Sequence, residues 1–327
     1  MASEKLPRVS IGHLPTPLEP LTRLTSQLGG PEIWIKRDDQ TGLVTGGNKT
    51  RKLEFLVADA LEQGADTLIT CGAAQSNHAR QTAAAAAKFG LSRILVLRGD
   101  DASKVQGNLL IDRLLGAEVV WSGDNSPIEE MEMVAARLRE EGQRPYLVPY
   151  GGSNPVGATG YVAAMEELLR QCGEIDLNFD HIVFATSSGG TQAGMLVGAR
   201  AEGYSGRMLG ISVEPSADAL RRAVAELAEA TAAHLGLDYA FSPDEVLADD
   251  SYLGEGYGIV GDLEPEAIQI LARAEGILLD PVYTGRAFGG MLDLIRRGEF
   301  QTGDRVLFWH TGGIPALFAY APKLAEA

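Results

Sequence analysis

A lysine behind a glycine pair is the first stretch with chemical content. Residues 46–52 read Gly46-Gly47-Asn48-Lys49-Thr50-Arg51-Lys52. Apolar Leu53, Leu56, Val57, Ala60 and Leu61 follow at helical spacing. This predicts a helix that carries Lys49 at its start and is capped by Asn48 or Thr50. The positive end of the helix dipole disfavours an ammonium there, and an amine pushed toward neutrality attacks carbonyls. A solvated surface lysine is the competing reading.

Four further loops bear on that choice. Gly72-Ala73-Ala74-Gln75-Ser76-Asn77-His78 stands before a predicted helix, where Ser76, Asn77 and free N–H groups suit a carboxylate or simply cap the helix. Ser187-Ser188-Gly189-Gly190-Thr191 follows an apolar run. Its glycines admit a phosphate close to the backbone and its hydroxyls add donors, with a plain tight turn as the alternative. Asp280-Pro281-Val282-Tyr283-Thr284-Gly285 sets a phenol beside a hydroxyl, and His310-Thr311-Gly312-Gly313 adds another glycine pair. His310 by itself suits a structural role. A reactive lysine plus a separate phosphate cup is what pyridoxal phosphate requires. Two matches fail on spacing or context. Gly42 to Thr50 puts Asn48 where a P-loop needs its lysine, and Gly256 to Gly261 fits the dinucleotide fingerprint by letters but lacks a preceding apolar strand.

The elements that must position these loops alternate between short apolar strands and amphipathic helices. Strands are expected at Ile33–Lys36, Thr67–Cys71, Ile94–Leu97, Glu118–Trp121, Tyr146–Val148, His181–Thr186, Met208–Val213, Ile277–Leu279 and Arg305–His310. Helices are expected at Gln75–Phe89, Val105–Leu115, Ile128–Glu141, Pro155–Arg170, Thr191–Glu202, Ala217–Leu235, Pro265–Ala274, Arg286–Arg297 and Pro315–Tyr320. Such alternation predicts an α/β protein with parallel sheets covered by helices. An acidic, glycine-rich loop, Leu237 to Glu264, is placed to cover a site.

Composition narrows the partners. With 327 residues there is enough chain for two lobes. The formal charge of −16 repels nucleic acid and anionic membrane, so neither is expected as a partner. Met1 to Ser10 lacks the apolar stretch of a signal peptide. Cys71 and Cys172 show no metal-ligand spacing, so no metal is expected, and reduced thiols point to a cytoplasmic protein.

Taken together, Gly46 to Glu54, Gln75-Ser76-Asn77, Thr191-Gln192-Ala193-Gly194, Asp280 to Gly285 and His310 to Gly313 resemble the D-cysteine desulfhydrase and 1-aminocyclopropane-1-carboxylate deaminase family. Its members have the two-lobed, tryptophan-synthase-β-like pyridoxal-phosphate fold. The similarity runs from about Leu14 to Tyr320, with the motifs in the same order. It implies that Lys49 bonds the cofactor's aldehyde and that Asn77 touches its 3-oxygen. By the same resemblance Ser188, Gly189, Gly190 and Thr191 hold the phosphate. Ser76, with Asn77 and His78, would bind the substrate carboxylate, and Tyr283 and Tyr257 would stand near the substrate Cα. A small domain at 51–157 inserted in a large one of 1–50 plus 158–327, and a homodimer, are also implied.

Thr284 separates the branches of the family. The cyclopropane deaminases carry a glutamate there, facing the pyridine nitrogen, and a carboxylate keeps that nitrogen protonated and the ring a strong electron sink. A threonine hydroxyl only hydrogen-bonds a largely neutral pyridine, which still supports loss of a good leaving group from Cβ. The resemblance therefore implies the desulfhydrase branch: α,β-elimination on D-cysteine to pyruvate, sulfide and ammonia. Either Lys49 or a tyrosine, Tyr283 first, would take the Cα proton. Rivals are an L-cysteate sulfo-lyase using Lys52 or Arg286 for the extra charge, a cyclopropane deaminase, and a non-catalytic ligand-binding protein of the same fold.

Overall fold

The alternation foreseen in the sequence builds two separate sheets. The computed structural model describes residues 1–100 and 105–325. Its first part runs β1 (Leu18–Pro20), α1 (Thr22–Leu28), β2 (Glu32–Arg37), α2 (Lys49–Glu62), β3 (Thr67–Gly72) and α3 (Asn77–Lys88). Then come β4 (Ser92–Leu97), α4 (Gly107–Leu114), β5 (Glu118–Trp121), α5 (Pro127–Glu140), β6 (Pro145–Leu147) and α6 (Pro155–Glu174). The last part holds β7 (His181–Thr186), α7 (Gly190–Glu202), β8 (Arg207–Ser212), α8 (Ala217–His234), β9 (Leu247–Asp249) and α9 (Leu263–Glu275). It ends with α10 (Thr284–Arg296), β10 (Arg305–His310), α11 (Ile314–Ala319) and α12 (Ala321–Ala325).

The larger sheet has the order β1-β2-β10-β7-β8-β9 and the smaller β5-β4-β3-β6. Every strand pairing is parallel except β1 against β2. Strands such as β3, β7 and β10 are buried nearly end to end, as parallel strands covered on both faces must be. Both thiols are buried and free. Among the described residues, no helix is long and apolar enough to cross a membrane.

One predicted strand does not form. Among the described residues Ile277–Leu279 has no strand partner; β10 already pairs with β2 on one side and β7 on the other. Ile277 and Leu279 instead bury their side chains in the core with α9 and α10, and Leu278 O accepts a hydrogen bond from His310 Nε2 (2.9 Å). The long acidic loop also contains β9, which extends the larger sheet beside β8.

A buried charge network fixes where α2 starts. Arg51 donates to Asp38 (2.8 Å from both Nε and Nη2) and to Glu167 (3.0 and 2.8 Å), while Lys36 donates to Glu167 (2.6 Å). Tyr161 and Trp309 add hydrogen bonds to Asp38 at 2.6 and 2.8 Å. Two cations thus face two carboxylates, and every charge is answered. Burial alone would raise the Asp38 pKa, but Arg51 and Lys36 hold it at about 2. Removing one partner from such a network is costly even where its net contribution to stability is small; here it links β2, α2, α6 and β10.

Candidate active site

Lys49 is the first residue of α2, as the glycine pair implied. The loop before it is tightly closed: a Cβ on Gly46 would lie 2.0 Å from Asp39 O, so no side chain fits there. Leu43, Val44 and Thr45 also adopt positive φ, a conformation that costs free energy and is concentrated at functional loops. The predicted cap is different. Neither Asn48 nor Thr50 caps the helix with its side chain; Gln81 of α3 reaches across, its Oε1 accepting from Thr50 N (2.8 Å).

Asn48 is used otherwise. Its Nδ2 donates to Thr191 Oγ1 (3.1 Å), and its Oδ1 accepts from Lys49 Nζ (3.0 Å). One side chain therefore joins the lysine loop to the serine–glycine loop far along the chain. The half-buried Lys49 has its pKa lowered to about 8, by burial first and by nearby Arg80 second, with Asp280 opposing. Desolvation is thus the main cause, where the sequence had suggested the helix dipole.

Strand ends from both sheets meet at this point, the position at which α/β folds bind ligands. A cleft with about 630 Å³ of empty space is lined by Lys49, Ser76, Asn77, His78, Ser188, Gly189, Thr191 and Tyr283 from the predicted set. It is also lined by Ser187 and Thr311, from two of the loops singled out in the sequence, and by Asn48, Tyr150, Gly151 and Thr186, which the sequence reading did not place in the site. Ser76 caps α3, accepting from Ala79 N (3.1 Å). His78 bonds Thr70 through Nε2 (2.9 Å), and burial, Lys49 and Lys52 push its pKa well below the ordinary value, so the imidazole is neutral. Among the described residues no carboxylate lines the cleft, in a chain of net charge −16.

At the N-terminus of α7, Gly189 takes φ 79° and, having no side chain, leaves the helix start without a cap from its own N-cap residue. Ser153 Oγ sits 2.8 Å from Ser188 Oγ and accepts from Gly190 N (3.2 Å). Behind it lies Lys52, 1 % exposed, donating to Gly151 O (3.0 Å) and Ser153 Oγ (3.3 Å). A Cβ on Gly190 would meet Lys52 Nζ at 2.9 Å. Burial first, then Lys49, holds the Lys52 pKa well down. Helix N–H groups, hydroxyls and an ammonium with no carboxylate partner among the described residues fit a bound phosphate. Lys52 lies one helical turn beyond Lys49, a spacing that could have revealed it.

The tyrosine pair is stacked edge to face. Tyr257 and Tyr283 have ring centroids 5.9 Å apart and hydroxyls 2.6 Å apart. Tyr283 lines the cleft, while Tyr257 borders a neighbouring cavity with Cys71, Arg98, Ser126, Tyr150 and Glu214. Burial pushes Tyr283 well above the ordinary phenol range and Tyr257 to about 12, the latter moderated by its bond to Tyr283. Asp280 aims the turn. Its carboxylate accepts from Val282 N (3.0 Å), Tyr283 N (3.1 Å) and Thr284 N (2.7 Å). Thr284 is fully buried and its hydroxyl donates to Asp280 Oδ1 (2.8 Å). The two cations considered for a sulfonate are engaged away from the cleft wall. Lys52 is behind the phosphate cup, and Arg286 is on Glu264 (2.7 Å), Gly256 O (3.2 Å) and Ile259 O (2.7 Å).

With fold and site in view, the class is defined: residues 9–312 match the family model described as pyridoxal-phosphate dependent enzyme, and the chain belongs to that family. Pyridoxal phosphate is its cofactor. Over 326 residues it is 45% identical to the D-cysteine desulfhydrase of Yersinia pestis (strain Pestoides F), covering 98% of both chains. It is 41% identical over 332 residues to the 1-aminocyclopropane-1-carboxylate deaminase of Burkholderia vietnamiensis (strain G4 / LMG 22486), again covering 98% of both. A crystal structure described as that of the ACC deaminase homologue superimposes with a TM-score of 0.91 at 40% identity, covering 99% of this chain and 97% of the other.

Proposed function

We propose that this chain is a carbon–sulfur lyase that converts D-cysteine to pyruvate, sulfide and ammonia. Bound pyridoxal phosphate supplies an aldehyde for the substrate amine and a ring that accepts electron density from Cα. Lys49 is the residue that would hold the aldehyde until a substrate amine takes its place. Ser188 to Thr191, with Ser153 and Lys52, receive the phosphate. Asn77 donates to the ring 3-oxygen, and Ser76, Asn77 and His78 take the substrate carboxylate. Of the two candidate bases, Lys49 Nζ is the one whose proton burial loosens, its pKa lowered to about 8. Tyr283, kept protonated by burial, serves as a proton donor whose position Tyr257 holds.

The observation that carries this reading is the cleft wall without a carboxylate, with Thr284 closed on Asp280 and Thr311 in the wall. Neutral partners leave the pyridine a moderate electron sink, which suits departure of sulfide better than opening of a carbon ring. An L-cysteate substrate would need a free cation in the cleft, and Lys52 and Arg286 are engaged elsewhere. The same reading takes 51–157 as a small domain inserted in the rest, and the protein as a cytoplasmic homodimer. Exposed Leu110 and Leu114 of α4 and Phe318 of α11 offer apolar surface for such pairing.

The test is a four-substrate assay with D-cysteine, L-cysteine, L-cysteate and the cyclopropane amino acid, scoring sulfide, sulfite, pyruvate and α-ketobutyrate separately. Sulfide with equimolar pyruvate from D-cysteine is expected. α-Ketobutyrate as the main product would establish the deaminase alternative that the 41% relative makes its closest competitor.

A further inference from the structure

A side-chain amide presents either a donor or an acceptor to a ligand, and at Asn77 the protein fixes which. Asn77 Oδ1 accepts from Asn108 Nδ2 (3.0 Å) and from Arg80 Nη1 (3.4 Å). No acceptor for Nδ2 is found among the described residues, and Asn77 lines the cleft. The direction of this arrangement starts at Arg80, because a guanidinium only donates. Arg80 Nη1 donates to Asn108 Oδ1 (2.8 Å), so the Asn108 amide must point its oxygen that way. Its nitrogen is then left for Gln75 O (2.9 Å) and Asn77 Oδ1. Asn108 is fully buried. Its backbone is held as well, since Asn108 N donates to Gln75 Oε1 (2.9 Å). Arg80 Nη2 reaches Gly46 O (2.8 Å), tying the same assembly to the loop of Lys49.

We infer that Asn108 is a positioning residue: it relays the donor-only character of Arg80 to Asn77, so that Asn77 Nδ2 faces the cleft as a hydrogen-bond donor to the cofactor's ring oxygen. This rests on the reading that Asn77 meets that oxygen. A donor at the oxygen draws off negative charge, and the Lys49-bound chromophore then gives up its proton at lower pH. If the amide is reversed, the ring oxygen meets a lone pair and the proton is held to higher pH.

Asn108→Asp keeps the size and the acceptor toward Arg80 but sets a second acceptor against Asn77 Oδ1, which turns the Asn77 amide over. Asn108→Ala only removes the restraint. The experiment is a pH titration of the visible absorbance of the purified holoenzyme for the wild type, both variants, Asn77→Ala and the Asn77→Ala/Asn108→Asp double variant. Losing one charge-assisted hydrogen bond corresponds to about one pH unit. Asn77→Ala should raise the midpoint by about that much, Asn108→Asp by at least as much and Asn108→Ala by less. The double variant should not exceed the larger single shift. Wild-type midpoints in both Asn108 variants beside a shifted Asn77→Ala overturn the relay. An unshifted Asn77→Ala overturns instead the reading of Asn77 as the cofactor's partner. Should Asn108→Asp fail to retain cofactor, the Asn108→Ala midpoint decides, because a residue that merely supports the fold leaves it unmoved.

Discussion

Three cations on the first turn of α2 meet two opposite fates. Arg51 turns one way, into the network where Asp38 and Glu167 answer it and Lys36. Lys49 and Lys52, three positions apart and so on one face of the helix, turn the other way, Lys49 into the cleft wall and Lys52 behind the serine–glycine loop that borders it, and neither has a carboxylate partner among the described residues. Arg80 stands beside them, its pKa lowered to about 10 by burial although Asp112 and Asp280 oppose. A buried cation that is paired holds a structure. A buried cation left without a carboxylate in an acidic protein is placed for an anion that arrives from outside, and in the proposed function that anion is the cofactor phosphate.

Breaking the paired side should have the largest effect on stability. Arg51→Met leaves two buried carboxylates with Lys36 alone, and should lower unfolding free energy by ~3–5 kcal/mol, read from urea midpoints with and without cofactor. Lys52→Met should do the reverse in kind. Cofactor affinity falls on the order of 10–100-fold, the loss of a charged hydrogen bond. The cofactor-free protein meanwhile keeps its urea midpoint or gains, because a desolvated amine with no carboxylate partner among the described residues has been removed. Equal destabilisation by both variants would erase the distinction between the two regions.

The pH dependence separates them again. Asp38, held at about 2 against an ordinary 3.8, contributes stability that is full above the ordinary value and is lost as pH falls toward 2. Lys49, held at about 8 against 10.5, binds fewer protons folded than unfolded between those values. The cofactor-free protein should therefore gain stability over that window relative to Lys49→Ala, measured as the difference between the two proteins' urea midpoints. Loading the cofactor occupies the lysine nitrogen and should abolish the gain. The smallest effect is reserved for Tyr257→Phe, which removes one hydrogen bond to Tyr283; kcat should fall about 5–10-fold at unchanged cofactor affinity.

Much of this contrast was written locally in the chain. Strands with continuous apolar runs, such as His181–Thr186 and Arg305–His310, were found at their observed bounds, because a buried parallel strand announces itself in composition. Ile277–Leu279 has the same composition and no strand partner, since an apolar run says that a segment is buried but not what it pairs with. Among site residues, Lys49 and the Ser187–Thr191 loop stood out through their glycines. Asn48 and Ser153 did not, because their neighbours in space come from other parts of the chain. Arg51 and Lys52 look equivalent as letters; only the positions of Asp38 and Glu167 reveal that one is neutralised and the other is not.

The central claim is that Lys49 carries the cofactor, with the phosphate held by the α7 loop and Lys52. Borohydride reduction of the yellow protein, followed by proteolysis and mass measurement of the peptides, tests it directly. The account predicts a single phosphopyridoxyl addition at Lys49. An addition at Lys52 or at any other lysine, or none at all, would contradict it.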